Sequence, residues 1–598
     1  MFSLRSLVVA LAALAAAAPA FAQTKAPVDA AVEAAQRTES RPRVIIRHRP
    51  GAAARLVKQF AAHGDRIVQQ HDSIGALAVD LHAEDIETVR KNPDVLWVSA
   101  NARVRSNAAP AARKSPRTPA PPLTPPDIDT GVLRAMLGIG SSRLTGAGVG
   151  IALIDSGVNL VTDLNARVKA YYDFTGGPNP SVDGYGHGTH LASLIAGSGR
   201  SSGGYHPGLA TGASLVVMKV LDGNGEGYTS DVIAAIEFAV ANRTRLGIDI
   251  INLSLGHPIF EPAGTDPLVA AVEKAVAAGI VVVVSAGNNG LNPLTGQVGT
   301  AGIGSPANSR SAITVGATIS HGTVSLSDDY VAPFSARGPT WYDGRIKPDI
   351  VAPGDRLVGV TTQSTKLYAN AKLRAKKALH LKLSGTSVST AVTTAIVALM
   401  IQQNRLDEGW AKPLTPNTVK ALLQYTALKV KPSGTGIPDI LEQGTGTLNG
   451  GGAITLAKAI EPSAPKGTWW IETPVSPSTQ LGSRIYNWAQ SLVWGDGLVW
   501  GDSVMYRQNA WAQGLTWGDS LVWGDTVTLD PSRPVIDLFT VWEPKVIWGP
   551  GLATSTGQSL VWGDLEDSLV WGDGLVWGDA DDGLVWGDIV WGPTVLPF

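Results

Sequence analysis

The 598-residue chain contains no cysteine. That absence removes disulfides, thiolate metal sites and a cysteine nucleophile together. It leaves export open, because a secreted fold can be built without disulfides. Charge is sparse as well: 16% of the residues are Asp, Glu, Lys or Arg, and the formal net charge is −2. Such a chain has no basic excess with which to hold nucleic acid or an anionic membrane. Beyond the N-terminal segment there is no run of 18 apolar residues, so no later stretch reads as an integral membrane span.

What is present begins with an export signal. Arg5 supplies a positive start, Leu7 to Ala18 is an unbroken apolar run, and Ala20-Phe21-Ala22 precedes Gln23 as a small-x-small cleavage site. Residues 1–22 are therefore expected to be a signal peptide, and the mature protein secreted or otherwise extracytoplasmic. Residues 43–104 read as a small α+β unit: strands at 43–48, 66–70, 76–81 and 95–99, and helices at 52–62 and 83–91. Residues 105–126 have the Pro-, Ala- and Thr-rich composition of a linker.

From 127 to 460 near-continuous apolar runs alternate with helical segments. The strand candidates are 149–154, 214–221, 248–253, 280–285 and 313–317, and the helix candidates 188–197, 229–246, 266–278, 387–402 and 416–426. Strands that are apolar along their whole length are buried on both faces. The pattern predicts an α/β domain with a parallel sheet and helices on both sides, its chemistry beyond the carboxyl ends of the strands.

Three segments carry chemistry. Ile151-Ala-Leu-Ile-Asp155 puts a carboxylate at the mouth of a buried strand. Asp183-Gly-Tyr-Gly-His187 puts an imidazole where a glycine-rich turn enters a helix. Ser384-Gly-Thr-Ser387 puts a hydroxyl at the start of another. A serine hydroxyl needs a base to take its proton, and an imidazole needs a carboxylate to fix its tautomer and stabilise its cation. A fourth segment, Val281 to Asn288, ends a strand with an amide that can donate to an oxyanion without carrying charge. His187 and His190 could also be read as metal ligands three residues apart. No third ligand accompanies them, so His190 is read as a packed helix residue and no metal is assigned.

In the order Asp155, His187, Ser387 the chain resembles the subtilisin family, the standard example of that order. Asp155-Ser-Gly, His187-Gly-Thr-His, Ser254-Leu-Gly256, Ala286-Gly-Asn288, Gly385-Thr-Ser387, Phe334-Ser-Ala-Arg-Gly-Pro339 and Lys347-Pro-Asp-Ile-Val-Ala-Pro-Gly354 carry the resemblance, over roughly 140–460. It implies a serine endopeptidase acting on proteins or peptides through an acyl-enzyme. Asp155 would orient His187, His187 would be general base and then acid, Ser387 the nucleophile and Asn288 an oxyanion donor. Ser254, Leu255 and Gly256 would pair with substrate backbone, and Gly287 and Asn289 would line the pocket for the residue before the cut. Residues 43–104 are similar to the family's inhibitory propeptide, of ferredoxin-like fold, which implies a zymogen that cuts itself within 105–126. The chain departs from the family at Ala391 and Val392, where a proline and a histidine are usual. Calcium is the one cofactor the resemblance brings in, and Asp163 lies near a usual ligand position. The loop at 197–208 lacks the asparagines that complete that site.

The segment 488–598 repeats Leu-Val-Trp-Gly-Asp or close variants, with Trp-Gly-Asp starting at 494, 500, 517, 523, 562, 571, 577 and 586. Exposed tryptophan is costly, so a β-like or turn-rich packing layer is expected. A cell-surface or carbohydrate attachment module, a calcium-loaded repeat and a disordered tail are the alternatives.

Overall fold

The computed structural model describes residues 25–106, 127–177, 182–291, 296–408, 412–431, 439–462 and 473–490, and four short strands between 559 and 586. The expected signal segment, the stretch 107–126 and most of the repeat region lie outside the described residues. The chain divides into two compact units, Met1–Ala100 and Asn101–Phe598.

The first unit contains four strands, Arg43–His48 (β1), Arg66–His71 (β2), Ala76–Asp80 (β3) and Val95–Ala100 (β4), with helices Ala53–Ala62 and Ile86–Arg90. The strands form one antiparallel sheet in the order β2-β3-β1-β4. With a helix after the first and third strands this is the βαββαβ arrangement of the ferredoxin-like fold. Each helix presents an apolar stripe: Leu56 and Phe60 from one, Ile86 and Val89 from the other, packed with Val44, Ile46, Leu77 and Val79 of the sheet. Full burial of such a side chain contributes about 1.5–3 kcal/mol. A further helix, Ala30–Thr38, starts at Asp29, whose carboxylate accepts the Val32 N–H at 2.7 Å.

The second unit begins with Arg103–Ser106 (β5). Its further strands are Gly150–Asp155 (β6), Val168–Asp173 (β7), Ser214–Lys219 (β8), Glu226–Tyr228 (β9), Ile248–Leu253 (β10), Leu255–Gly256 (β11), Val281–Ser285 (β12) and Ile313–Ile319 (β13). Tyr330–Val331 (β14), Ile350–Pro353 (β15), Leu357–Val360 (β16) and His380–Leu383 (β17) follow. The central sheet runs β14-β13-β12-β10-β6-β8-β7, with β15 added against β13; β14 is antiparallel and the remaining pairs are parallel. Every residue of β6 and β12 is buried, which is why these strands read as unbroken apolar runs. Helix starts follow sequence signals: Asp266 accepts the N–H groups of Leu268 and Val269 with Pro267 in the first turn, and Thr415 accepts that of Thr418 ahead of Pro416.

The structure differs from the sequence reading in one helix and in the strand ahead of residue 127, besides the edge strand β7. The expected helix 229–246 is two, Thr229–Ala241 and Arg243–Leu246. The Asn242 amide between them donates to the Phe238 carbonyl at 2.9 Å, competing with the helical ladder. The second unit begins before residue 127: Arg103–Ser106, part of it in the expected linker, is a strand between β9 and β11. Of the repeat region, Ser559–Trp562, Leu569–Gly572, Leu575–Trp577 and Leu584–Trp586 form an antiparallel four-stranded meander.

Candidate active site

Three neighbouring strands, β12, β10 and β6, end at one edge of the sheet and leave Asn288, Ser254 and Asp155 there. Asp155 is the last residue of β6 and is 1% exposed. His187 is the first residue of the helix His187–Ala196 and is fully buried. Its Nδ1 lies 2.8 Å from Asp155 Oδ1 and 3.0 Å from Oδ2. With a carboxylate there, Nδ1 carries the proton and the lone pair is left on Nε2. That Nε2 is buried and has no hydrogen-bond partner.

The close approach of helix and strand depends on Gly188. A Cβ at that position would collide with the Gly157 carbonyl and crowd the Asp155 carboxylate. Asp183 fixes the same helix start from the other side. Its Oδ1 accepts Ser156 Oγ–H at 2.9 Å and the Gly186 N–H at 2.6 Å, and its Oδ2 accepts the Thr189 N–H at 2.9 Å and the Thr189 hydroxyl at 2.5 Å. Burial pushes this carboxyl above the usual range, while the Thr189 and Gly186 donors pull it back. Ser156 Oγ in turn accepts the Gly188 N–H at 3.0 Å. The residue after Asp155 and the residue after His187 are thereby tied to one carboxylate. The sequence motif around His187 gives Asp183 no role of its own. Its role follows from the directions of the Gly186 and Thr189 amides, which spacing alone does not give.

Ser387 is the second residue of the helix Thr386–Glu408 and is fully buried. Its carbonyl accepts Ser254 Oγ–H at 3.2 Å, and Asn252 Nδ2 donates to that same Ser254 hydroxyl at 3.0 Å. Asn288 is held by its carboxamide oxygen, which accepts the Thr386 N–H at 2.9 Å and the Thr386 hydroxyl at 3.2 Å. This orientation makes the NH2 group the end that faces away from Thr386. The helices carrying His187 and Ser387 pack against each other. Ala391 and Val392, where the resemblance leads one to expect proline and histidine, are fully buried in the core. The helix start is pinned instead by Ser389, whose hydroxyl donates to the Ala352 carbonyl at 2.9 Å.

The other expected site residues separate into two groups. Leu255 and Gly256 form β11, which pairs antiparallel with β5: Leu255 opposite Ser106 and Gly256 opposite Arg105. On its other side β5 pairs with β9, Arg105 opposite Glu226 and Arg103 opposite Tyr228. An extended segment of this chain therefore already lies in the groove that Ser254-Leu255-Gly256 is expected to offer a substrate. Gly287, at φ +110°, donates its N–H to Thr386 Oγ1 at 3.2 Å and accepts that of Ala336 at 3.0 Å. Asn289, two residues on, is half-buried.

Asp163 does not suit a calcium ion as it stands. Its oxygens accept the Ser201 N–H at 2.8 Å, the Ser201 hydroxyl at 2.6 Å and the Ser198 hydroxyl at 3.3 Å, so donors surround it where a cation would need further oxygens. His190 is fully buried, its Nε2 is 3.1 Å from the Leu357 carbonyl, and burial, with His187 nearby, drives its pKa down to about 3. It is a neutral packing residue with Nε2–H as donor.

The model of the subtilase family matches residues 146–452. The chain is 39% identical over 286 residues to the serine protease AprX of Bacillus subtilis, covering 47% of this chain and 61% of that protein. It is 32% identical over 317 residues to subtilisin E of the same organism, covering 52% of this chain and 69% of that protein. Among solved structures, fervidolysin from Fervidobacterium pennivorans, described as a keratinolytic enzyme related to subtilisin, shares the fold. Its TM-score is 0.51 at 21% identity, over 69% of this chain and 61% of that one. The chain spans less than two thirds of AprX and of fervidolysin, but half of its own length falls within one family match. It belongs to the subtilase family of subtilisin-like serine endopeptidases.

Proposed function

We propose that this protein is an exported serine endopeptidase, made as a zymogen that cuts itself, with Asp155, His187 and Ser387 as its catalytic residues. Ser387 Oγ attacks the carbonyl carbon of the scissile peptide while its proton passes to His187 Nε2. Asp155 holds the resulting imidazolium at Nδ1. The oxyanion is received by Asn288 Nδ2–H and the Ser387 N–H. Collapse of the adduct breaks the C–N bond, and the amine leaves with the proton from Nε2. Water then attacks the acyl-serine ester, giving its proton to Nε2, and the acid is released as Ser387 regains its own.

The observation that carries this reading is β5. Arg103–Ser106 lies as an extended strand with a neighbour on each side, the mode in which a protease reads a peptide backbone. Its antiparallel register on β11 advances toward Ser254, and Ser254 touches Ser387. One residue beyond Ser106 the partner position is Ser254, so the expected cut is the Asn107–Ala108 bond, inside the window expected from sequence. Residues 43–104 then act as the inhibitory and folding segment, their βαββαβ fold supporting the resemblance.

The test is N-terminal sequencing of the purified protein beside its Ser387→Ala variant. A new terminus at Ala108 in the wild type alone is expected. An identical terminus in both, or a wild type that never reacts with a fluorophosphonate probe at Ser387, would overturn the proposal.

A further inference from the structure

The two arginines of β5 converge on one acid. Arg103 Nη1 lies 3.1 Å from Glu226 Oε2, and Arg105 Nε lies 3.2 Å from Glu226 Oε1. The Arg103 guanidinium also stands 5.7 Å from the centre of the Tyr228 ring, within cation–π range. Strand geometry explains the convergence. Residues 103 and 105 share a face, two positions apart, and 104 points the other way. Val104 is fully buried. Glu226 is set in β9 by its neighbours: its N–H donates to Asp222 Oδ1 at 3.1 Å and its carbonyl accepts the Asp222 N–H at 2.8 Å.

We infer that Glu226, assisted by Tyr228, is a specificity-determining residue that selects substrates with basic side chains at the two positions now held by Arg103 and Arg105. An apolar side chain is taken between them. This rests on the proposed protease reading and on β5 lying where a substrate lies. The substrate class is an extended peptide of the form basic–apolar–basic, ending two residues before the cleaved bond. Glu226 acts only on binding and touches no reacting atom.

The pairs are partly exposed, with side-chain exposures of 64% and 70% for the arginines and 31% for Glu226. Exposed pairs are individually weak, so removing both is expected to change kcat/KM by roughly 3- to 20-fold. Salt should erode the preference.

The experiment uses protein expressed as the whole chain and allowed to process itself, and three fluorogenic peptides sharing the frame X-Val-X-Ser-Asn ahead of the cut, with X as Arg, Ala or Glu. In the wild type the Arg peptide should exceed the Ala peptide, and the Glu peptide should be the poorest. In Glu226→Gln the Arg-to-Ala ratio should fall toward one, and in Glu226→Lys the order of Arg and Glu peptides should reverse. Ratios are compared within each variant, so a general loss of activity does not enter. Cleavage of the Ala peptide with no charge preference in the wild type, or with the same ratio in Glu226→Gln, would overturn this inference and leave the protease reading intact. No cleavage of any peptide by the processed wild type would overturn both.

Discussion

Thr386 grips the carboxamide oxygen of Asn288 with both its N–H, at 2.9 Å, and its hydroxyl, at 3.2 Å. Thr386 is also the residue immediately before Ser387, so one short link sets the proposed amide donor and the proposed nucleophile relative to each other. Asn288→Ala should lower kcat by about 100- to 1000-fold with little change in KM, the size familiar from subtilisin, which is the standard example of this effect. Thr386→Val, which keeps the N–H and removes the hydroxyl, should lower kcat by a smaller factor. Steady-state kinetics on one peptide substrate would show both, and an Asn288→Ala enzyme within threefold of wild type would count against the oxyanion role.

Asp183 predicts a second effect, on positioning. Asp183→Asn replaces an acceptor oxygen with an NH2 group among the four donors from Ser156, Gly186 and Thr189. Leaving a buried donor unsatisfied costs about 1–3 kcal/mol. Urea unfolding should register that loss, and kcat should fall with KM retained, because the start of the His187 helix is what shifts. If the pH profile of kcat/KM and its height both match wild type, Asp183 is only a structural cap.

Gly188→Ala tests the contact between helix and strand. The added methyl meets the Gly157 backbone carbonyl, which has no rotamer by which to yield. Either the helix moves away from Asp155 or Gly157 does. The expected outcome is loss of self-processing with the second unit still folded by circular dichroism. Normal processing would mean that the backbone absorbs the clash.

Asp329 predicts a pH effect on stability. It is 3% exposed, its Oδ1 lacks a hydrogen-bond partner, and burial, with Asp328 nearby, raises its pKa from 3.8 to about 8. Unfolded, the carboxyl loses its proton near 3.8; folded, it keeps it to about 8. The folded state therefore binds more protons across that window, and stability falls as pH rises through it. At about 1.4 kcal/mol per unit the total amounts to a few kcal/mol. Asp329→Asn should match wild type at pH 4 and exceed it in Tm at pH 8 and above. Parallel Tm profiles for the two proteins would refute the assignment.

Much of this arrangement was legible in the sequence. Near-continuous apolar runs announced β6, β10, β12 and β13, because strands covered on both faces leave no regular polar alternation. Val168–Asp173 escaped that reading: it is an edge strand, half-buried throughout except for exposed Lys169, and its residues Val-Lys-Ala-Tyr-Tyr-Asp show no run. Arg103–Ser106 escaped for a different reason. Arg-Val-Arg-Ser resembles the start of a linker, and the strands that make it a strand lie more than 100 residues further on. The positions of Asp155, His187, Ser387 and Asn288 were readable as motifs. The part played by Asp183 was not, since a carboxylate becomes a cap only once the directions of the Gly186 and Thr189 amides are set.

The middle strand of the small sheet has one more implication. Were Arg103–Ser106 to depart after the proposed cut, β9 and β11 would face each other across two ladder spacings, about 9–10 Å, each with a bare row of amides and carbonyls. A bare strand edge accepts any extended backbone, including a loosened segment of a sister molecule. If the proposed self-processing takes place, the processed protein is its own competitor for the groove, and its decline in storage should scale with the square of its concentration.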